Sequence, residues 1–90
     1  MSVKVTLATP LTDYTEGRGM LHLEAATVRE ALQRLCADFP ALGALLWRGG
    51  EFNPVLVVFR NDEDIRHLQG LSTPISPHDE LSIITAVEGG

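Results

Sequence analysis

Basic residues are scarce in this chain of 90 residues, which has 7 Lys and Arg against 12 Asp and Glu. Lys4 is the single lysine, and the arginines are scattered along the chain without forming a stripe. Nucleic acids and anionic membranes both attract proteins that carry a concentrated basic surface. The charge balance therefore predicts neither a nucleic-acid partner nor a membrane partner.

Cysteine and long apolar runs are also lacking. Cys36 is the single cysteine, so it has no partner for an internal disulfide and belongs to no Cys-x-x-Cys pair. Residues 1–4 lead straight into alternating residues rather than into an apolar stretch, which argues against a signal peptide. Since no run approaches about 18 apolar residues, no membrane span is predicted either. We expect a cytoplasmic protein.

Patterns for catalysis and for metal binding are missing as well. There is no phosphate-binding loop, no dinucleotide fingerprint and no nucleophile–base pair. His22, His67 and His78 are far apart in the sequence, so no metal site is predicted. The acidic residues 62–64 lack the EF-hand pattern, and we interpret them as a solvated turn rather than a cation site. We expect no bound cofactor and no enzyme activity of the chain's own.

The pattern of apolar residues is that of a small α+β domain. Alternation predicts strands over residues 2–7 and 21–24, joined by a Gly-containing turn, and an apolar run predicts a buried strand over residues 54–60. Apolar and polar residues are mixed over residues 65–75, which are compatible with one short strand. A last strand is predicted from Glu80 to Val87. A further short turn of helix is indicated for residues 42–46.

One helix is clearly marked. Thr27 and Glu30 form a capping-box pattern, apolar residues follow at helical spacing, and Pro40 ends the helix. A mixed sheet of four to five strands packed on this main helix is the simplest arrangement, and its order matches the ubiquitin-like β-grasp. We predict a single domain over residues 1–87 and a flexible tail over residues 88–90.

The two strands of the second half also suggest a partner surface. We expect Val57, Phe59 and Ile84 to point away from the helix, where one sheet face stays open to water. The alternative is a shift of register by one residue, or cover by loops. The residues of opposite parity on the same two strands, which we expect in the core, are Leu56, Val58, Leu81 and Ile83.

Two other side chains have a structural interpretation. Cys36 is interpreted as a partly buried structural residue rather than a sulfur relay, and Trp47 as a packed side chain rather than an interface anchor.

The most informative feature is the ending Glu88-Gly89-Gly90. Glycine is a poor strand residue, so folding stability does not explain two of them directly after an apolar strand. Because glycine has no Cβ, such a tail suits a carboxylate that must enter another protein's active site. The carboxylate of Gly90 would be ionised at neutral pH and could attack the α-phosphate of ATP. Since the chain lacks a phosphate-binding loop, a separate adenylating enzyme is implied.

Several segments resemble the MoaD/ThiS group of β-grasp sulfur carriers, over essentially the whole length and most strongly from residue 55 onward. Residues 61–66 are similar to the "NDEDVR" turn of the CysO-type branch, and residues 70–75 to its "GGLATAI" stretch. Residues 79–90 are similar to its "GDSVTILPAVAGG" ending. The chain departs from that pattern at Gln69, Thr85 and Glu88.

The resemblance implies a cycle in which an E1-like enzyme uses ATP to adenylate Gly90 and a sulfur donor converts the adenylate to a thiocarboxylate. An acceptor enzyme then takes the sulfur. In the CysO branch the acceptor is a cysteine synthase that uses pyridoxal phosphate and O-phosphoserine, and a metallopeptidase releases the new cysteine. Other branches feed molybdopterin or thiamine synthesis. Two alternatives stay open: a protein modifier joined to lysines through Gly90, and a non-catalytic binding subunit for which the glycines are incidental.

Overall fold

The computed structural model describes residues 2–85. The predictions made for Val87, Glu88, Gly89 and Gly90, and for a boundary between residues 87 and 88, lie outside this part of the chain. In chain order the strands and α-helices are β1 (Val3–Leu7), β2 (Met20–Leu23), α1 (Val28–Asp38), α2 (Pro40–Leu46), β3 (Trp47–Arg48), β4 (Glu51–Phe52), β5 (Leu56–Arg60), β6 (Glu63–Asp64) and β7 (Glu80–Thr85).

The main sheet has five strands in the order β2-β1-β7-β5-β6. The first and last strands, β1 and β7, run parallel at its centre, and every other pairing is antiparallel. Parallel strands need a long crossover, which the intervening helices and loops provide. A mixed sheet with α1 on one face confirms the predicted α+β class.

Helix α1 begins as its sequence predicts. The Thr27 hydroxyl accepts a hydrogen bond from the Glu30 backbone N–H at 3.2 Å, and a Glu30 carboxylate oxygen accepts one from the Ala26 N–H at 2.7 Å. The first bond satisfies an amide that the first helical turn cannot pair internally, and the second binds the residue before the N-cap. Pro40 follows α1 and occupies the first turn of α2, where a missing N–H is tolerated.

The core lies between the sheet and the two helices. Alternate residues of β1, β5 and β7 point into it, as does one stripe of each helix, and most of these side chains have no exposed surface. This confirms the inward parity predicted for the second half of the chain. The fully buried members from the strands are Val3, Val5, Leu81 and Ile83, and those from the helices are Val28, Ala31, Leu32, Leu35, Leu42 and Leu46.

Three local features differ from the sequence predictions. The turn predicted over residues 11–19 includes a 3₁₀ helix, Thr9–Tyr14, which buries Leu11. Residues 65–75 form two 3₁₀ helices, Ile65–His67 and Gly70–Ser72, rather than a strand. The small hairpin of β3 and β4 was not predicted, because each of its strands has only two residues.

Helices α1 and α2 approach closely where Gly43 faces Cys36. A Cβ built on Gly43 would lie 3.0 Å from the Cys36 Cβ and 3.1 Å from its Sγ, closer than side chains normally pack. Cys36 is half-buried and packs against the core, so its structural interpretation is supported. The small residue at position 43 therefore permits the helix contact.

We expect Gly43→Ala to lower the free energy of unfolding by about 1 kcal/mol, because overpacking (about 1–3 kcal/mol) exceeds the gain in helix propensity (about 1 kcal/mol). Urea denaturation measures the change. Gly19→Ala is the matched control, since a Cβ there would meet its nearest atom at an ordinary 3.7 Å. If Gly43→Ala were as stable as the parent, the helices would not be in tight contact at this position.

Candidate functional site

The candidate site lies around the end of β7. Thr85, the last described residue, pairs with Leu56 at the start of β5, so the residues after Thr85 begin at this end of the sheet. Strand β1 ends at the same side, where the Ala8 N–H donates to the Ile83 carbonyl at 2.9 Å. Both neighbours of β7 therefore fix the position from which the C-terminal residues depart.

Beside this point is the sheet face opposite α1, here called the open face. Its side chains alternate with those of the core, and a hydrogen bond of 3.0 Å from the Thr6 hydroxyl to the Ser82 hydroxyl joins β1 and β7 across it. From the middle of the sheet to the end where Thr85 lies, the side chains of the open face are Thr6, Met20, Val57, Phe59, Ser82 and Ile84.

The structure places all three predicted partner-binding residues on the open face, but it exposes them unequally. Ile84 is 38% exposed, Phe59 is half-buried and Val57 is only 9% exposed. Val57 lies opposite Ile84 in the pairing of β5 with β7. Met20, which is 50% exposed on β2, was not predicted. To predict that Met20 lies on the open face, one would need both its alternation with Leu21 and the register of β2 on β1.

Charge is concentrated at the opposite end of the open face. Lys4 pairs with both His22 and Glu80, the exposed residue Asp62 lies in the neighbouring turn, and the exposed Glu63 begins β6. The end of the face from which the C-terminal residues depart is consequently the more apolar one. A partner that takes up the C-terminus could bury this apolar end without desolvating the charged one.

The interpretation of residues 62–64 as a solvated turn is wrong for Asp64. This residue is only 8% exposed, and its carboxylate accepts hydrogen bonds from the Arg66 guanidinium, from Nε at 3.0 and 3.1 Å and from Nη2 at 2.6 Å. It also accepts from the Arg66 backbone N–H at 2.8 Å and so caps the following 3₁₀ helix. These bonds from Arg66 hold the pKa of Asp64 below its usual range.

A second carboxylate, Asp79, holds two turns together. Asn61 has a positive φ of 58°, and its side chain donates to Asp79 at 3.0 Å and accepts from the Glu80 N–H at 3.1 Å. The other Asp79 oxygen accepts from the Ser76 backbone N–H at 2.8 Å. The pKa of Asp79 is lowered, first by the Asn61 hydrogen bond and then by those from Ser76, against an opposing effect of burial.

These two carboxylates should make the fold sensitive to acid. Their folded pKa values lie below the unfolded value of about 3.9, so their contribution to stability is complete above that pH and is lost as the pH falls through the folded pKa. The free energy of unfolding of the parent should fall as the pH is lowered from about 5 to about 2. We expect this fall to be smaller in Asp64→Asn and in Asp79→Asn. Asp62→Asn is the control, since its exposed carboxylate makes no hydrogen bond within residues 2–85. Equal acid dependence of all three variants and the parent would contradict this assignment.

The remaining sequence candidates do not assemble into a chemical centre. Trp47 is half-buried, with its ring centroid 5.6 Å from that of Phe52 in an edge-to-face contact, as the packing interpretation predicts. Within residues 2–85 no group of three or more side chains could hold a metal ion. In the same range, no helix has the length and apolar character needed to cross a bilayer.

Known proteins share the sequence and the fold of this chain. The ThiS family model matches residues 5–90. This chain belongs to the ThiS family. Among its relatives, the sulfur carrier protein CysO of Mycobacterium bovis is 29% identical over the full length of both chains. Small archaeal modifier protein 3 of Haloferax volcanii is 34% identical over 72% of this chain and 71% of the relative.

Solved structures of ThiS-family relatives support the same assignment. A chain in the crystal structure of the BexX/CysO complex of Amycolatopsis orientalis superposes with a TM-score of 0.88 at 31% identity, covering 98% of this chain and 99% of that one. The ubiquitin-like β-grasp prediction is therefore confirmed, as is the resemblance to CysO-type carriers. The ThiS family unites small sulfur carriers and ubiquitin-like modifiers, and this chain is one of them.

Proposed function

We propose that this ThiS-family protein is a sulfur carrier that holds sulfur as a thiocarboxylate on Gly90. The observation that carries the proposal is the register of β7, which places Thr85 at the apolar end of the open face, five positions before Gly90. The diglycine pattern supplies the tail chemistry, and the CysO relatives supply the precedent of a carrier. The chain acts as a co-substrate of partner enzymes rather than as a catalyst.

The chemistry requires two steps at the Gly90 carboxyl group, both performed by partners. A carboxylate oxygen attacks the α-phosphorus of ATP on an E1-like enzyme, and pyrophosphate leaves. Hydrosulfide, supplied by a sulfur donor, then attacks the acyl carbon, AMP leaves, and one proton is released. The product carries sulfur in place of one carboxylate oxygen and is a nucleophile for the acceptor enzyme.

The open face supplies the proposed contact surface for these enzymes. Ile84 lies on the strand that leads to the tail, and Phe59 and the small exposed part of Val57 lie on the neighbouring strand. A partner resting there would bring Gly90 within reach of its own active site. Burial of such apolar side chains stabilises complexes, and a few well-packed residues usually dominate the affinity.

Cysteine formation is the pathway that we propose. The relatives named CysO favour a cysteine synthase-like acceptor, with a metallopeptidase to release the product, in the cytoplasm. Molybdopterin and thiamine synthesis are the alternatives. Genes adjacent to the one for this chain would distinguish them, since each pathway needs its own acceptor enzyme.

Reconstitution tests the proposal. The purified chain is incubated with the activating enzyme of its source organism, ATP and sulfide, and its intact mass is measured. We expect a shift equal to the replacement of one oxygen by one sulfur, dependent on ATP. An unchanged mass with every activating enzyme of that organism would contradict the proposal.

A second candidate function is protein modification, favoured by the similarity to small archaeal modifier protein 3. Gly90 would then form an amide with lysines of other proteins. Conjugates of high mass in cell extract, present with the intact chain and absent when Gly90 is deleted, would support it. A chain found only in its free form, with sulfur on Gly90, would favour the carrier alone.

A further inference from the structure

Arg66 is unusual for an exposed arginine because its position is fixed. Its side chain is 72% exposed, yet Nε and Nη2 are both bound to the buried carboxylate of Asp64. A free arginine side chain loses considerable conformational entropy on binding, and a side chain already held in one geometry loses less. Within residues 2–85, Nη1 donates no hydrogen bond, so it is available to an acceptor from outside.

A small apolar pocket adjoins Arg66. It has a volume of about 50 Å³ and is lined by Phe52, Leu56, Val57, Val58, Ile65 and the Asp64–Arg66 pair. Since roughly 10–15 Å³ of such volume holds one water molecule, the pocket has room for a short aliphatic group. The pocket also adjoins the proposed contact surface, because Leu56 pairs with Thr85 and Asp64 pairs with Phe59.

The surrounding charges decide which acceptor would suit Arg66. The positive charge of Arg66 is balanced by Asp64, and the adjacent residues Asp62 and Glu63 add negative charge. The whole chain carries a net charge of −5. A carboxylate on a partner would be repelled here, whereas a neutral backbone carbonyl would accept from Nη1 without that cost.

We propose that Arg66 and this pocket form a recognition site for the activating enzyme, which inserts one short aliphatic side chain and offers a neighbouring backbone carbonyl to Nη1. Asp64 acts as the positioning residue. The site deepens the proposed carrier function and rests on it. It adds a polar, directional contact to an otherwise apolar surface, which would align the carrier as its C-terminus enters the enzyme.

The test measures the rate of adenylation as ATP–pyrophosphate exchange, with the activating enzyme of the source organism and increasing carrier concentration. Arg66→Lys keeps the charge but loses the planar fork, and Asp64→Asn keeps the shape but loosens Arg66. We expect both to raise KM about tenfold, the effect of losing one charge-assisted hydrogen bond, with kcat unchanged. Arg29→Lys, exposed on α1 at the other side of the sheet, is the matched control and should leave both constants unchanged.

The outcomes separate the two proposals. Wild-type adenylation with unaltered KM in both variants would overturn the recognition site and leave the carrier function intact. No adenylation of the wild type would overturn the carrier function and this site with it. A wild-type KM that rises steeply with salt, an increase that the charge-removing variant Arg66→Gln abolishes, would contradict the neutral carbonyl as acceptor.

A second measurement needs no partner. The Nε–H of Arg66 should give a resolved NMR signal in the free folded protein, protected from exchange by the Asp64 carboxylate. We expect Asp64→Asn to weaken that protection while circular dichroism shows an intact fold. An Arg66 signal that exchanges as fast in the parent as in Asp64→Asn would contradict a prearranged guanidinium.

Discussion

Deleting Gly90 should reduce the rate of adenylation by about 100-fold or more, since a displacement of about 1 Å at a reacting centre can already cost that much. The deletion leaves a carboxylate on Gly89, but it draws that carboxylate back by up to about 3.3–3.6 Å, the span of one extended residue. The free energy of unfolding should not change, because the core extends from Val3 to Ile83. Pyrophosphate exchange and urea denaturation measure the two quantities.

The matched control for the deletion is Glu88→Ala, which changes the tail without shortening it. We expect its adenylation rate to stay within a few-fold of the parent, an effect of about 1 kcal/mol or less. Equal losses in the two variants would show that the identity of the tail residues matters more than its length. An active chain without Gly90 would contradict the placement of the chemistry at the last carboxylate.

Ile83→Ala should lower the free energy of unfolding far more than Ile84→Ala, although the two residues are adjacent on β7. Ile83 is fully buried, so truncating it should lower the free energy of unfolding by about 2–5 kcal/mol through lost burial and a residual cavity. Ile84 is 38% exposed on the open face, and its truncation should cost less than about 1 kcal/mol. Each variant is therefore the control for the other.

The same pair of variants also tests the contact surface. Ile84→Ala should raise the KM of the activating enzyme for the carrier, while folded Ile83→Ala, assayed at low temperature, should retain the parent's KM. Ile83→Val, which removes a single methylene at a cost of about 0.5–1.5 kcal/mol, serves if the alanine variant does not fold. An unaltered KM for Ile84→Ala would remove Ile84 from the surface.

The elements that were predicted correctly are those whose signals are local. The capping residues Thr27 and Glu30 lie three positions apart, and the Thr27 hydroxyl accepts the expected bond from the Glu30 N–H at the start of α1. The alternation in β1 and β7 extends over enough residues to assign one side to the core, whereas β5 was recognised from its apolar run. Pro40 ended the first helix as predicted and began the second.

The features that were missed depend on contacts that local patterns do not specify. Gly49 and Gly50 both adopt positive φ, of 60° and 85°, as a two-residue hairpin turn requires. Their Gly-Gly signal was present, but the flanking strands were too short to be recognised. The burial of Asp64 depends on its pairing with β5 and on an arginine two positions later, so composition alone suggested a solvated residue.

Fragmentation mass spectrometry of the intact protein isolated from its own cells tests directly whether Gly90 carries the sulfur. We expect sulfur in place of oxygen on the C-terminal fragment that contains Gly90. We expect no added sulfur on fragments that contain Cys36, the chain's one thiol. Sulfur found as a persulfide on Cys36, with an ordinary carboxylate at Gly90, would contradict this expectation.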